Sequence, residues 1–359
     1  MKKNFLSRAC TLSICISLLV SLLTARADAY ATAPAALPEK TEVSSRLLEL
    51  FWGTKKKEAE ESEERKALIP AGTLFGIRIE TDGVIVAEPG SQSTIGLCAG
   101  DRVCEIDGTP VTCLEDLPAL LKDKEGVTLT IQRGKSVLRL SAPLIDGQLG
   151  ISVKDTVAGI GTVTYIDPES GAFGGLGHGI CTTQGGELTP MLGGTVTNVI
   201  LGGVNRGEEG KPGELCGILH HEAIGTLSLN HTCGVFGTLN QIPDGQEALP
   251  LAHKNEVKEG PAKIISTVRA GRTCAYDVTL REIDYQSTTT KSFSIHVEDP
   301  TLIALTGGIV RGMSGSPIIQ NGKLVGAVTH VLINDPTTGY GIFIENMLNA
   351  AQIPTERAA

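Results

Sequence analysis

The segment 307–330, "GGIVRGMSGSPIIQNGKLVGAVTH", sets the bend Gly312-Met313-Ser314-Gly315-Ser316-Pro317 between two apolar runs. A bend needs glycine, but it does not need two hydroxyls. Around it, from about Gln148 onward, short apolar runs alternate with Gly, Asn, Asp and Pro turns, as in "GTVTYIDPESGAFGGLGHGI", "GTVTNVILGGVNRG" and "KSFSIHVEDPTLIAL". No long 3.6-residue period appears until "GIFIENMLNAAQI" near the end, and no internal repeat is present. Many short strands at this spacing argue for an all-β barrel or sandwich of about 200 residues.

A serine becomes nucleophilic only with a base beside it. Of the seven histidines, His178 stands apart in "GGLGHGI", flanked by Gly174, Gly175, Gly177 and Gly179. Glycine on both sides strips away bulk and lets the backbone present an imidazole at a cleft wall. Paired with the later serine bend, His178 reads as the base. Two competing sites fare worse. Cys216, His220, His221, His231 and Cys233 carry zinc-ligand chemistry, but their spacing fits no common zinc pattern, and a strand points alternate residues apart. An α/β-hydrolase needs G-x-S-x-G and then an acid followed by a histidine; here Ser316 occupies the fifth position and His330 precedes Asp335. The residues therefore imply neither a metal site nor a cofactor.

The bulk numbers agree with a strand-rich protein. Of 359 residues, 41% are hydrophobic and 43 are glycine, while aromatics number only 7 Phe, 5 Tyr and 1 Trp. Net charge is −9 without a dominant basic block, which excludes a nucleic-acid footprint. The N-terminus opens with two lysines, an apolar run over Leu12–Leu23, and Ala29 and Ala31 in A-x-A spacing. That pattern over 1–31 is a secretory signal or signal anchor, the apolar run being shorter than the ~20 residues of a spanning helix. Residues 32–67, Ala/Pro-rich and then highly charged, read as a spacer. Past the signal, seven scattered cysteines form an odd set that cannot fully pair, so buried free thiols are expected.

Residues 68–147 change character. "IPAGTLFGIRIETDGVIVAE" alternates like a hairpin, and strand, turn, strand, short helix and strand follow. Ala99-Gly100-Asp101, then Val103, Ile106, Asp107-Gly108 and Val111, resembles the PDZ family. The resemblance implies a small α+β domain over 68–147 that takes an extended peptide as an added strand. It implies a groove helix at Leu114–Leu121 and a carboxylate-binding loop at Gly72, Thr73, Leu74, Phe75 and Gly76.

The segment "GMSGSP" resembles the nucleophile loop of chymotrypsin-like serine peptidases, with Met313 where that pattern has Asp. The resemblance implies an oxyanion hole from the N–H groups of Gly312 and Ser314, and a structural role for Ser316. Gly308, six residues before Ser314, stands where a trypsin-type pocket has its acid, which argues against a strict Arg/Lys preference. The whole stretch through "HVLINDPTTGYGIFIENML", with "DTVAGIGTVTYIDPESGAFGGLGHGI" and "GVFGTL", resembles the stage IV sporulation protein B serine peptidases.

That likeness implies a mainly β chain: signal or anchor, spacer, PDZ domain, and a chymotrypsin-like barrel peptidase domain over 148–359. It implies an endopeptidase secreted across the forespore membrane that cleaves a membrane-associated regulatory protein and itself, leading to sigma factor activation. The partners implied are a protein substrate at a membrane surface and a PDZ ligand peptide, including its own N-terminal region. The triad carried over is His178 as base, Asp299 as acid and Ser314 as nucleophile. Asp-Pro is also a common turn starter, so Asp284, Asp277 and Asp155 stand as alternative acids. A reading from another class, a non-catalytic PDZ scaffold or sensor, keeps the loop without the activity; the His–Asp–Ser order weighs against it.

Overall fold

The computed structural model describes residues 66–181, 186–269 and 271–352. The expected signal at 1–31 and nearly all of the expected spacer lie outside the described residues. The described chain starts with β1 (Ala67–Pro70) and β2 (Leu74–Glu88). The sequence expects a hairpin here, but β2 is one strand of 15 residues, spanning roughly 50 Å at about 3.3 Å per residue. Its first half buries Phe75, Ile77 and Ile79 in one core, and its second half buries Val84 and Val86 in another. The crossing is marked by Thr81, whose buried hydroxyl donates to the carbonyls of Gly83 (2.7 Å) and Asp155 (3.0 Å).

Beyond the crossing lies a small α+β module: β3 (Arg102–Ile106), β4 (Thr109–Pro110), α1 (Leu117–Leu121), β5 (Gly126–Arg133) and β6 (Ser136–Pro143). Val127, Leu129 and Ile131 alternate along β5 and pack with Val84, Val103 and Leu121. The Ala99-Gly100-Asp101 turn is anchored because buried Asp101 accepts two hydrogen bonds from Arg133, both 2.7 Å. A buried carboxylate needs such a partner, and a forked guanidinium supplies it in matching geometry.

The chain leaves the module on β7 (Ser152–Ile166), which runs back along β2. Ser152–Lys154 pair with Ile85–Glu88 of the module, and Val157–Thr162 pair with Leu74–Ile79 beyond it. The module is thus inserted between two halves of one strand pair. This corrects the expected boundaries: residues 67–80 belong with the strands after the module, and the peptidase part is not confined to 148–359. It also corrects the loop expected at Gly72–Gly76. Leu74–Gly76 are ladder residues, and Phe75 is buried against Phe173 with ring centroids 5.8 Å apart.

β8 (Ala172–Gly175), β9 (Gly193–Asn205), β10 (Glu214–His231), β11 (Gly234–Leu239) and β12 (Leu249–Pro250) follow. The pairings β2–β7, β7–β8, β8–β11, β11–β10, β10–β9 and β9–β2 return to their starting strand, so these strands form a closed ring. A second closed barrel comprises β13 (Gly260–Arg269), β14 (Arg272–Arg281), β15 (Phe293–Val297), β16 (Pro317–Gln320), β17 (Lys323–Leu332) and β18 (Asp335–Phe343). Helix α2 (Pro300–Thr306) sits between β15 and β16, and α3 (Ile344–Ala351) ends the described chain. Ile344, Met347 and Leu348 of α3 join Leu68 of β1 and Tyr165 of the first ring to Leu324 of the second barrel. Closing the ring and the barrel removes the exposed edges of their own strands, while β6 and β12 remain the ends of the larger sheet. The expected mainly β, chymotrypsin-like barrel architecture is what forms.

The seven described cysteines are all unpaired, but only Cys233 is buried and Cys181 is exposed, so the expectation of buried thiols holds for one of them. Placement of Phe75 in the first barrel has a measurable consequence. Phe75→Ala lowers unfolding stability by about 3–5 kcal/mol, as expected for emptying an aromatic core site, read by chemical denaturation.

Candidate active site

The serine bend is built where the two barrels meet. The Thr162 N–H donates to the Ser314 carbonyl (3.0 Å), the Thr162 hydroxyl to the Gly312 carbonyl (2.8 Å), and the Thr164 hydroxyl to the Gly315 carbonyl (2.7 Å). Gly315 adopts φ +96°, and a Cβ there would lie 2.0 Å from the Thr162 carbonyl oxygen, so only glycine lets the bend seat on β7. Met313, where the peptidase pattern has an acid, is buried in the core of the second barrel among Val310, Ile318 and Val328. An apolar side chain there anchors the bend by packing. The buried Ser316 hydroxyl donates to the Ser266 hydroxyl at 3.0 Å, a structural role as expected.

Ser314 is half-buried, and its hydroxyl donates to the Thr329 carbonyl at 2.8 Å. Two main-chain donors flank it. The Arg311 carbonyl accepts from the Leu215 N–H (2.9 Å), which in a trans peptide turns the Gly312 N–H the opposite way. The Met313 carbonyl accepts from the Ser316 N–H (2.9 Å), with the same result for the Ser314 N–H. Neither of these two N–H groups has an acceptor among the described residues.

His178 follows β8 through two residues with positive φ, Leu176 (+63°) and Gly177 (+67°). A Cβ on Gly177 would come within 2.9 Å of Thr329 Cγ2, so glycine permits the histidine loop to lie against β17. The half-buried His178 ring places Nδ1 2.9 Å from the Gly179 carbonyl oxygen. A carbonyl can only accept, so Nδ1 carries the proton and Nε2 is left as the basic nitrogen. Burial pushes the His178 pKa down, and the Gly179 carbonyl offsets part of that. His178 and Ser314 line one cavity of about 230 Å³ together with Thr329 and His330.

His330 is the member that sequence reasoning missed. Its ring centroid lies 5.2 Å from that of His178, tilted by 37°. Desolvation chiefly, with the neighbouring His178 and Lys291 adding to it, lowers its pKa to about 4, so it is neutral near pH 7. On the other side of the histidine pair is a second cavity of about 420 Å³, lined also by Cys181, Leu188 and Cys233. The signal for His330 was its position at the end of the strand "KLVGAVTH" that follows the serine bend.

The structure does not bring Asp299 to His178. Its carboxylate caps α2, accepting from the N–H groups of Thr301 (2.8 Å) and Leu302 (3.0 Å), and its other oxygen accepts from Asp277 N–H (3.4 Å). The reason is local: Asp before Pro at a helix start satisfies orphan donors of the first turn. The alternatives are also engaged elsewhere. Asp277 pairs with Lys263 at 2.5 Å, Asp284 accepts from Gln286 N–H at 3.0 Å, and Asp155 accepts from Leu114 N–H at 3.0 Å. Among the described residues no carboxylate is hydrogen-bonded to His178, and no group of three or more His, Cys, Asp or Glu side chains gathers to hold a metal.

A family model described as SpoIVB peptidase S55 matches residues 146–348. No curated protein matches the chain. Among solved structures, the active form of the Rv3671c protease from M. tuberculosis is 11% identical, with a TM-score of 0.32 over 81% of this chain and 84% of that one. The inactive form of the Rv3671c protease is 16% identical, with a TM-score of 0.33 over 54% of this chain and 84% of that one.

Two variants test the geometry. Asp299→Asn keeps an equally good cap, so activity stays within a few-fold of wild type; a drop of about 10⁴ in kcat would instead mark a triad acid. His330→Ala opens His178 to water, which raises its pKa toward the ordinary value of about 6.5. Because the base must be neutral, the acid limb of the kcat/KM profile then moves to higher pH, whereas His330→Phe keeps it low.

Proposed function

We propose, from the premise that this chain belongs to the SpoIVB peptidase S55 family and is a serine peptidase, that Ser314 is its nucleophile and His178 its general base. The observation that carries this is the single cavity in which a serine from the second barrel meets a histidine from the first. For the reaction, the Ser314 hydroxyl turns from the Thr329 carbonyl to Nε2 of His178. Oγ attacks the substrate carbonyl carbon as its proton passes to Nε2. The free N–H groups of Gly312 and Ser314 receive the oxyanion. Collapse breaks the C–N bond, and the amine leaves with the proton from Nε2. Water then repeats the sequence on the acyl-enzyme, releasing the acid and restoring Ser314. The Gly179 carbonyl keeps the proton on Nδ1 and orients the ring, the task a carboxylate performs in a full triad.

The finer reading is an endopeptidase of sporulation signalling, exported on the signal or anchor at 1–31, acting on a membrane-associated regulatory protein and on its own N-terminal region. What supports it is the family resemblance together with the lysine, apolar and A-x-A pattern of the N-terminus. The inserted module is read as the PDZ-type peptide binder. Its Asp101-anchored turn, its short helix α1 and its outer strand β6 support that reading, since an extended peptide adds to an open sheet edge.

Ser314→Ala is expected to abolish proteolysis, a loss of several orders of magnitude, with an unchanged circular dichroism spectrum. A fluorophosphonate should label the wild type at Ser314 and leave the variant unlabelled. A wild type that is folded yet unlabelled establishes the scaffold reading instead.

A further inference from the structure

We infer that the 230 Å³ cavity beside Ser314 receives the substrate side chain on the acyl side of the scissile bond and selects an uncharged aliphatic one. The inference rests on Ser314 being the nucleophile. It adds the substrate class, which nothing in the family description states.

Five walls of the cavity are apolar: Pro212, Ile309, Val310, Val331 and Ile333. Ile309 and Val310 are buried, whereas Ile333 is 56% exposed at the same cavity. A large aliphatic side chain left open beside a nucleophile is a contact surface without its partner. The pocket is fixed in shape by its main chain. Ile309 N–H donates to the Pro336 carbonyl (2.7 Å), and the Ile333 carbonyl accepts from the Gly210 N–H (2.9 Å), holding the loop that carries Pro212. Its volume of about 230 Å³ equals that of roughly eight waters at about 30 Å³ each, enough for a branched aliphatic group.

Charge excludes the alternatives. Among the described residues no carboxylate lines the cavity, and its one formal cation, Arg311, makes no ion pair. A lysine or arginine side chain would lose its hydration there and meet only a like charge. Gly308 cannot be the seat of a recognition acid, because a Cβ on it would lie 2.1 Å from the Pro336 carbonyl oxygen at φ +136°. Arg311 itself is exposed, so its guanidinium stays in water at the rim. A single methylene in an apolar pocket alters turnover by about 10- to 200-fold, so selection by these walls is large enough to measure.

The test uses the full chain and peptidyl diphenyl phosphonates that differ only in the first side chain: Val, Leu, Asp or Arg. Ser314 Oγ attacks phosphorus, the P–O bond to phenol breaks, and the phenoxide leaves with the proton that His178 took. The Val and Leu probes should label Ser314 at least about 100-fold faster than the Arg and Asp probes. Ile333→Asp, at an exposed position, should slow the Val and Leu probes by about tenfold and speed the Arg probe. Faster labelling by Asp or Arg in the wild type overturns the inference, as does a preference unmoved by Ile333→Asp. Labelling by a simple fluorophosphonate but by none of the four peptide probes also overturns it, while leaving Ser314 as nucleophile. If even the fluorophosphonate fails, the nucleophile assignment falls and the pocket assignment with it.

Discussion

Two threonines on β7, Thr162 and Thr164, hold the carbonyls of Gly312, Ser314 and Gly315. Both are fully buried, and residues two apart on a strand share a face, so one edge of one strand presents all three donors to the bend. Leaving a buried carbonyl unsatisfied costs about 1–3 kcal/mol, which makes the seat selective for one arrangement of the loop. β7 also closes the first barrel against β2 and receives the chain from the inserted module. The position of Ser314, barrel closure and module attachment thus depend on the same strand.

The meeting of Ser314 and His178 follows from that seating. Ser314 comes from the second barrel and His178 from the first, and Gly177 allows the histidine loop to touch Thr329 of β17. Thr329 holds the serine hydroxyl through its carbonyl, and the next residue, His330, stacks near His178. Burial keeps both imidazoles neutral near pH 7, the state a general base requires. The serine hydroxyl rests on a carbonyl, so donating to any other acceptor takes a rotation about one side-chain bond.

Legibility from sequence varied with how local the cause was. The serine bend, the glycine-flanked histidine and the strand-rich composition are short-range features; the fold is mainly β and brings the two side chains to one cavity. The module boundary was not legible, because β2 runs on as one strand across Thr81 while the core it faces changes from that of Phe75, Ile77 and Ile79 to that of Val84 and Val86. The Gly72–Gly76 assignment failed for the same reason, since the pattern shows that Phe75 is buried without showing in which core. Asp299 shows the opposite error. Its order in the chain suits a triad acid, but its immediate neighbours Pro300, Thr301 and Leu302 make it a helix cap.

The amino-acid sequence by itself determined the chemistry on offer: a serine in a bend only glycines can make, a histidine between glycines, and strands in place of helices. These are consequences of φ/ψ preference and side-chain alternation, which act over a few residues. Only the tertiary structure decided which groups meet. It set Thr162 and Thr164 beneath Ser314, His330 beside His178, and an apolar cavity next to Ser314. The threonines and the serine bend, like the two histidines, lie far apart in the chain, and their contact is set by barrel closure and register, which no local preference encodes.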